Sequence, residues 1–169
     1  HALRPGDTIL VHAAAGGMGL LFCRWARAMD VRVIGSTSTD EKARRALAAG
    51  AEHVVVYPRE DLVGAVMDLT HGRGVDVVYD GIGAASFGRS LEMLAIRGHL
   101  VSFGQASGPV GSWDIGAMAS KSVTVSRPNF GHYPTDPAEL HGRAERLFDA
   151  LRRGVIAPDV DRTMPLDAA

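Results

Sequence analysis

The chain has 169 residues, 46% of them hydrophobic and 22% charged, with 20 glycines, which is the size and composition of one globular domain. Its formal net charge of −1 argues against a strong electrostatic grip on nucleic acid or an anionic membrane. The one cysteine, Cys23, excludes an intrachain disulfide and a multi-cysteine zinc site, and no apolar run approaches the roughly 20 residues of a membrane-spanning helix. With no visible signal peptide, a reduced, soluble, cytoplasmic setting is expected.

The first predicted element is a strand over residues 8–12. A helix follows from near Gly17, because Met18, Leu21, Phe22, Trp25 and Met29 recur at spacings of three and four, with Arg24 and Arg27 opposite. A second strand is predicted over 31–36, then a helix over 40–49 that Gly50 stops. A strand over 53–57, a helix over 61–69, a strand over 75–80 and a helix over 86–94 continue the alternation. Strands over 98–103 and 122–126 follow, with a Gly- and Ser-rich loop over 104–116 and an irregular one over 127–137. The last helix is the best marked: Asp136 as N-cap, Pro137 at N1 and Glu139 at N3 form a start like a capping box. Leu140, Ala144, Leu147, Phe148 and Leu151 give its apolar face, and Gly154 its end.

Several strand runs are apolar throughout, as strands buried on both faces are. Strand–helix alternation implies right-handed crossovers, so the expected fold is α/β: a doubly wound, six-stranded parallel sheet with helices on both faces.

The strongest local signal is the turn Ala14-Ala15-Gly16-Gly17-Met18-Gly19 between the first strand and the first helix. It is G-x-G-x-x-G with alanine at the first position. Gly16 and Gly17 let the backbone approach a pyrophosphate, and the helix N-terminus offers N–H groups and the positive end of its dipole. Gly19 lets the helix pack close to the strands. Such folds usually carry Asp or Glu at the end of the second strand to hold the ribose 2′-hydroxyl of NAD. Here that position is Ser36, followed by Thr37, Ser38 and Thr39, with Lys42 beyond. Hydroxyls and an ammonium suit a 2′-phosphate that a carboxylate would repel, so NADPH is the expected cofactor. Arg44 and Arg45 are read as a solvated helix face.

Other chemistry finds no support. The seven histidines, His1, His12, His53, His71, His99, His132 and His141, include no H-E-x-x-H pair, and no metal site is expected. His12 is read as a packing residue and Cys23 as a buried thiol. There is no G-x-S-x-G nucleophile elbow. The residues four positions after Tyr57, Tyr79 and Tyr133 are Asp61, Gly83 and Pro137, so no Tyr-x-x-x-Lys pair exists. No catalytic residue is assigned.

The stretches LRPGDTILVHAAAGGMG, VVYDGIG and GHLVSFGQASGPV, with RPNFGHY, resemble the cofactor domain of zeta-crystallin-like NADPH:quinone oxidoreductases of the medium-chain dehydrogenase/reductase superfamily. The resemblance covers essentially the whole chain. It implies a Rossmann-like NADP(H)-binding domain over 1–169, set into a longer chain with a GroES-like catalytic domain. The start at His1 and the ending MPLDAA read as cut ends, in keeping with an excised domain. The resemblance also implies zinc-independent transfer from NADPH to a quinone or enone acceptor, in a homodimer, with the isolated piece inactive. Rival readings are an enoyl reductase or alcohol dehydrogenase of the same superfamily, a non-catalytic NADPH-binding module, and a methyltransferase-like fold that the glycine spacing disfavours.

By residue, the resemblance implies Gly16, Gly17 and Met18 at the pyrophosphate, and Ser38 and Lys42 at the 2′-phosphate. Tyr57 lies near that phosphate and the adenosine. Gly81 and Ile82 border the groove after the fourth strand, where the family often has Ser-Val. Phe103, Gly104 and Ser107 are expected near the nicotinamide half, with the missing Cβ of Gly104 allowing close approach to the ring.

Overall fold

The structure is a computed structural model that describes residues 2–158, 160 and 162–168. Its sheet has six strands: β1 (Thr8–Val11), β2 (Arg32–Thr37), β3 (His53–Val56), β4 (Val75–Asp80), β5 (Leu94–Ser102) and β6 (Thr124–Ser126). They lie in the order β3-β2-β1-β4-β5-β6, and every pairing is parallel. The helices are α1 (Gly17–Ala28), α2 (Asp40–Ala48), α3 (Leu62–Leu69), α4 (Phe87–Glu92) and α5 (Pro137–Arg152). This is the expected doubly wound α/β fold, and its strand order reverses between β1 and β4.

The strands are apolar because helices cover both of their faces. Ile9, Val11, Val33 and Val77 pack against Leu20, Cys23 and Ala26 of α1 and Ala46 of α2. Leu10, Ile34, Val78 and Leu100 point the other way, against Leu62 and Val66 of α3 and Phe87 of α4. Each fully buried Val, Leu or Ile contributes roughly 1.5–3 kcal/mol relative to exposure. Local signals set the helix ends, and the stops expected at Gly50 and Gly154 are found. Thr39 and Asp61 cap α2 and α3, and Gly50 and Gly154 take positive φ just past α2 and α5.

Five expectations need correction. The stripe expected to face the core from α1 does not: Leu20, Cys23 and Ala26 are buried, whereas Met18 and Met29 are exposed. The helix predicted over 86–94 ends at Glu92, and β5 starts at Leu94, opposite Val75 rather than at 98. The irregular register between Val75 and Val77 and the left-handed Arg97 (φ 62°) absorb the extra residues. The strand predicted over 122–126 shortens to Thr124–Ser126, because Ser122 (φ 50°) closes a 3-10 turn over Ile115–Lys121. On α5, Asp136 caps the helix by accepting from the Ala138 N–H, but Glu139 pairs with Arg143 instead of closing a capping box. The stripe Leu140, Leu147, Phe148 and Leu151 is exposed. Ala150 is the buried residue of α5, and α5 borders a groove with Trp25 of α1 and Met29 just past it.

Candidate functional site

The carboxyl ends of β1, β2 and β4 converge where the strand order reverses, the usual ligand crevice of an open parallel sheet. β1 leaves the sheet through Ala13, held at a left-handed φ of 50°, and the chain enters α1 at Gly16. No side chain caps α1 and its first turn carries no acid, so its leading N–H groups have no side-chain acceptor. The turn is tied to its neighbours through His12 N–H to the Tyr79 carbonyl (3.1 Å) and Ala14 N–H to the Ser36 carbonyl (3.1 Å).

The glycines of the turn divide by cause. A Cβ on Gly19 would stand 2.5 Å from the Ala13 carbonyl oxygen, so close packing of α1 on the turn demands glycine there. A Cβ on Gly17 would meet nothing within 4 Å. The fold makes no steric demand for glycine at 17, and the missing side chain leaves the helix N-terminus open to a ligand.

A cavity of about 210 Å³ opens beside this terminus, lined by Ala13, Ala15, Gly16, Thr37, Ser38, Lys42, Tyr57 and Ile82. Lys42 Nζ donates to Ser38 Oγ at 3.1 Å on the exposed rim. A smaller cavity of about 120 Å³ adjoins it, sharing Tyr57 and Ile82 and adding His12, Leu62, Ala85, Ser86 and Arg89. Larger concavities of about 580 and 520 Å³ lie between α1 and α5 and around Gly6, Arg27 and Arg32. They are open surface grooves away from the carboxyl ends of the strands, so backbone geometry rather than volume identifies the site.

The structure therefore brings together Gly16, Ser38, Lys42, Tyr57 and Ile82, with Gly17 and the exposed Met18 beginning α1 next to Gly16. It does not place Ser36 with them. The expectation that its hydroxyl meets a 2′-phosphate is corrected: Ser36 is fully buried, and its Oγ lies 3.0 Å from His12 Nδ1. Gly81, Phe103, Gly104 and Ser107 form a separate cluster beyond β4 and β5. A Cβ on Gly81 would press on the Phe103 ring at 3.1 Å, and Phe103 meets Phe22 edge-on at 5.9 Å, with Phe22 stacked on Tyr79 at 4.6 Å. Gly104 also meets a demand of the fold itself. Its Cβ would lie 2.4 Å from the Gly81 carbonyl oxygen, so the approach of two backbone segments already requires glycine. Ser107 Oγ donates to the Ile82 carbonyl (2.8 Å) and accepts from the Ala85 N–H (3.0 Å), stapling the two loops. Arg127, the residue just after β6, holds this cluster by donating to the carbonyls of Ser102 (2.9 Å) and Gly104 (2.8 Å).

Sequence reasoning missed Arg89, a second cation at the groove, and the buried polar cluster beneath it. Asp80, at the end of β4, accepts from the N–H groups of Ile82 (2.8 Å) and Gly83 (3.2 Å) and from the hydroxyls of Ser86 (2.7 Å) and Ser90 (3.0 Å). An acid closing an apolar strand and two serines four apart, one just before the next helix and one on it, were the available signal. Burial pushes the His12 imidazole below its ordinary value, with Asp80 opposing and Arg89 adding to the shift. Cys23 is buried as expected, and burial raises its thiol to about 11. His1 lies outside the described residues. Among the described residues no helix is long and apolar enough to cross a membrane.

A family model described as zinc-binding dehydrogenase matches residues 17–147. A quinone oxidoreductase of Pseudomonas aeruginosa is 43% identical over the whole chain, and a 2-haloacrylate reductase of Burkholderia is 40% identical over the whole chain. These matches cover 52% and 51% of the respective relatives, so the chain spans about half the length of the curated relatives it matches. The crystal structure of Escherichia coli quinone oxidoreductase complexed with NADPH superposes with a TM-score of 0.90 at 42% identity. The match covers 95% of this chain and 49% of that one.

Proposed function

From the premise that this chain belongs to the zinc-binding dehydrogenase family, within the medium-chain dehydrogenase/reductase superfamily, we propose that it is the NADPH-binding domain of a zinc-independent quinone oxidoreductase. The whole enzyme passes reducing equivalents from NADPH to quinones or related unsaturated carbonyls. The observation that carries this reading is the uncapped, glycine-lined N-terminus of α1 beside the Ser38–Lys42 pair. A pyrophosphate suits the first, and a 2′-phosphate suits a hydroxyl and an ammonium where NAD-binding folds carry a carboxylate.

Each residue then has a stated task. The backbone at Gly16, Gly17 and Met18 holds the pyrophosphate, and Ser38 and Lys42 hold the 2′-phosphate. Tyr57 and Ile82 line the adenosine side, while Gly81, Phe103, Gly104 and Ser107 shape the loop on the nicotinamide side. Ser36 acts from beneath, through the strand end it fixes. When bound, NADPH supplies a hydride from its nicotinamide ring, and the protein's part is position and electrostatics. No side chain of this chain is assigned as an acid or base. Among the described residues no group of three or more His, Cys, Asp or Glu is placed to hold a metal ion.

The 2-haloacrylate reductase relative favours a second acceptor class, an activated alkene bearing a carboxylate. The reading further holds that the acceptor binds between this domain and the remainder of the enzyme, so the chain alone gives little turnover. A homodimer is supported by the exposed Thr124 on the edge strand β6, and a cytoplasmic setting belongs to the same reading. Assays of the full-length enzyme containing this chain test the assignment. NADPH oxidation driven by a quinone supports it, oxidation driven by 2-haloacrylate and not by quinones moves the acceptor to the second class, and oxidation of an alcohol alone contradicts it.

A further inference from the structure

Three elements at the groove meet on one buried imidazole. His12, the residue just after β1, is 5% exposed. Its Nδ1 lies 3.0 Å from Ser36 Oγ on β2, and its Nε2 lies 2.9 Å from Ser90 Oγ on α4. Ser90 donates its proton to Asp80 Oδ2 at 3.0 Å, so the Ser90 oxygen accepts from Nε2–H. In the neutral ring Nδ1 is then the acceptor, and Ser36 donates to it. The hydrogen bonds thus select one tautomer, with the proton on Nε2.

The two arms reach opposite walls of the groove. The first ends on Ser36, two residues before Ser38, and the Ser36 carbonyl also accepts from the Ala14 N–H of the glycine-rich turn (3.1 Å). The second passes through Ser90 to Asp80, which holds the backbone of Ile82 and Gly83, and Ile82 lines both cavities. Building on the NADPH reading above, we propose that His12 is a positioning residue with two separable effects. Its Ser36 arm fixes the end of β2 so that Ser38 and Lys42 select a 2′-phosphate, and its Ser90 arm fixes the wall facing the part that NADPH and NADH share.

The amide variants cut one arm each. His12→Asn keeps an acceptor near the Nδ1 position and loses Ser90, whereas His12→Gln keeps a donor near the Nε2 position and loses Ser36. Ser36→Ala and Ser90→Ala make the same cuts with a smaller loss of packing. Dissociation constants for NADPH and NADH are measured on the wild type and all four variants. Loss of one hydrogen bond of about 1 kcal/mol corresponds to roughly a fivefold change in affinity. His12→Gln and Ser36→Ala lower the NADPH-to-NADH preference about fivefold, while His12→Asn and Ser90→Ala weaken both cofactors alike. A nitrogen-15 spectrum of the wild-type ring shows Nε2 protonated and Nδ1 bare.

A preference for NADPH that survives all four variants, equal losses of both cofactors throughout, or a proton on Nδ1 overturns the inference alone. Wild-type protein that binds neither dinucleotide overturns the functional reading and this inference with it. Should the histidine variants fail to fold, the two serine variants decide the matter by the same ratio.

Discussion

The Lys42 ammonium, in the first turn of α2, donates to the hydroxyl of Ser38, one residue past β2, across 3.1 Å on the rim of the groove. Both residues line the same cavity, and Tyr57 closes that cavity from beyond β3. The pair sets a cation and a hydroxyl just past Ser36, the strand-end position at which NAD-binding folds carry a carboxylate for the ribose.

Lys42→Ala therefore weakens NADPH binding about tenfold or more and leaves NADH binding within about twofold, because charge-assisted bonds to phosphate are roughly twice as strong as neutral ones. Ser38→Asp inverts the preference by setting a carboxylate against the 2′-phosphate. Titrations with both cofactors at several salt concentrations check this, and the NADPH advantage falls as salt rises.

The two glycines at the head of α1 separate stability from binding. Gly19→Ala forces a Cβ to within 2.5 Å of the Ala13 carbonyl oxygen and lowers stability by about 1–3 kcal/mol, the usual cost of overpacking. Gly17→Ala meets open space and leaves stability unchanged or raises it by up to about 1 kcal/mol, yet it weakens NADPH binding at least tenfold. Urea unfolding and cofactor titration of the two variants give the comparison.

His12 makes stability fall in mild acid. Burial holds the folded imidazole below its ordinary value of 6.5, so the unfolded chain binds the proton first. The contribution is fully present above about pH 6.5 and is lost as the pH drops below it, toward the depressed folded value. The groups facing the ring are Asp80, which opposes the shift, and Arg89, which adds to it. One proton limits the slope to about 1.4 kcal/mol per pH unit. His99, also lowered by burial, acts in the same direction, so comparing unfolding of the wild type with His12→Gln isolates the His12 share.

Much of this architecture was legible because its signals are local. Asp136 with Pro137, Gly50 and Gly154 mark helix ends through backbone chemistry that needs no tertiary context. The boundary at Leu94 was not legible, since Met93, Leu94 and Ala95 are equally apolar as the end of a helix or the start of a strand. Ser36 was misplaced for a related reason. β2 is buried from Val33 to Thr37, so no polar–apolar alternation shows which serine points inward. The stripe on α5 was visible as a period, but periodicity does not say what covers a face, and here Leu140, Leu147 and Phe148 stand exposed. The buried cluster around Asp80 joins residues up to 78 positions apart, a distance at which sequence pattern carries no signal.

A fluorescence titration of this chain with NADPH and with NADH under one buffer decides whether the groove binds and selects a dinucleotide. The groove of Gly16, Gly17, Ser38 and Lys42 predicts saturable binding of both, with NADPH tighter by about tenfold or more. Equal affinity, or tighter binding of NADH, would contradict the account.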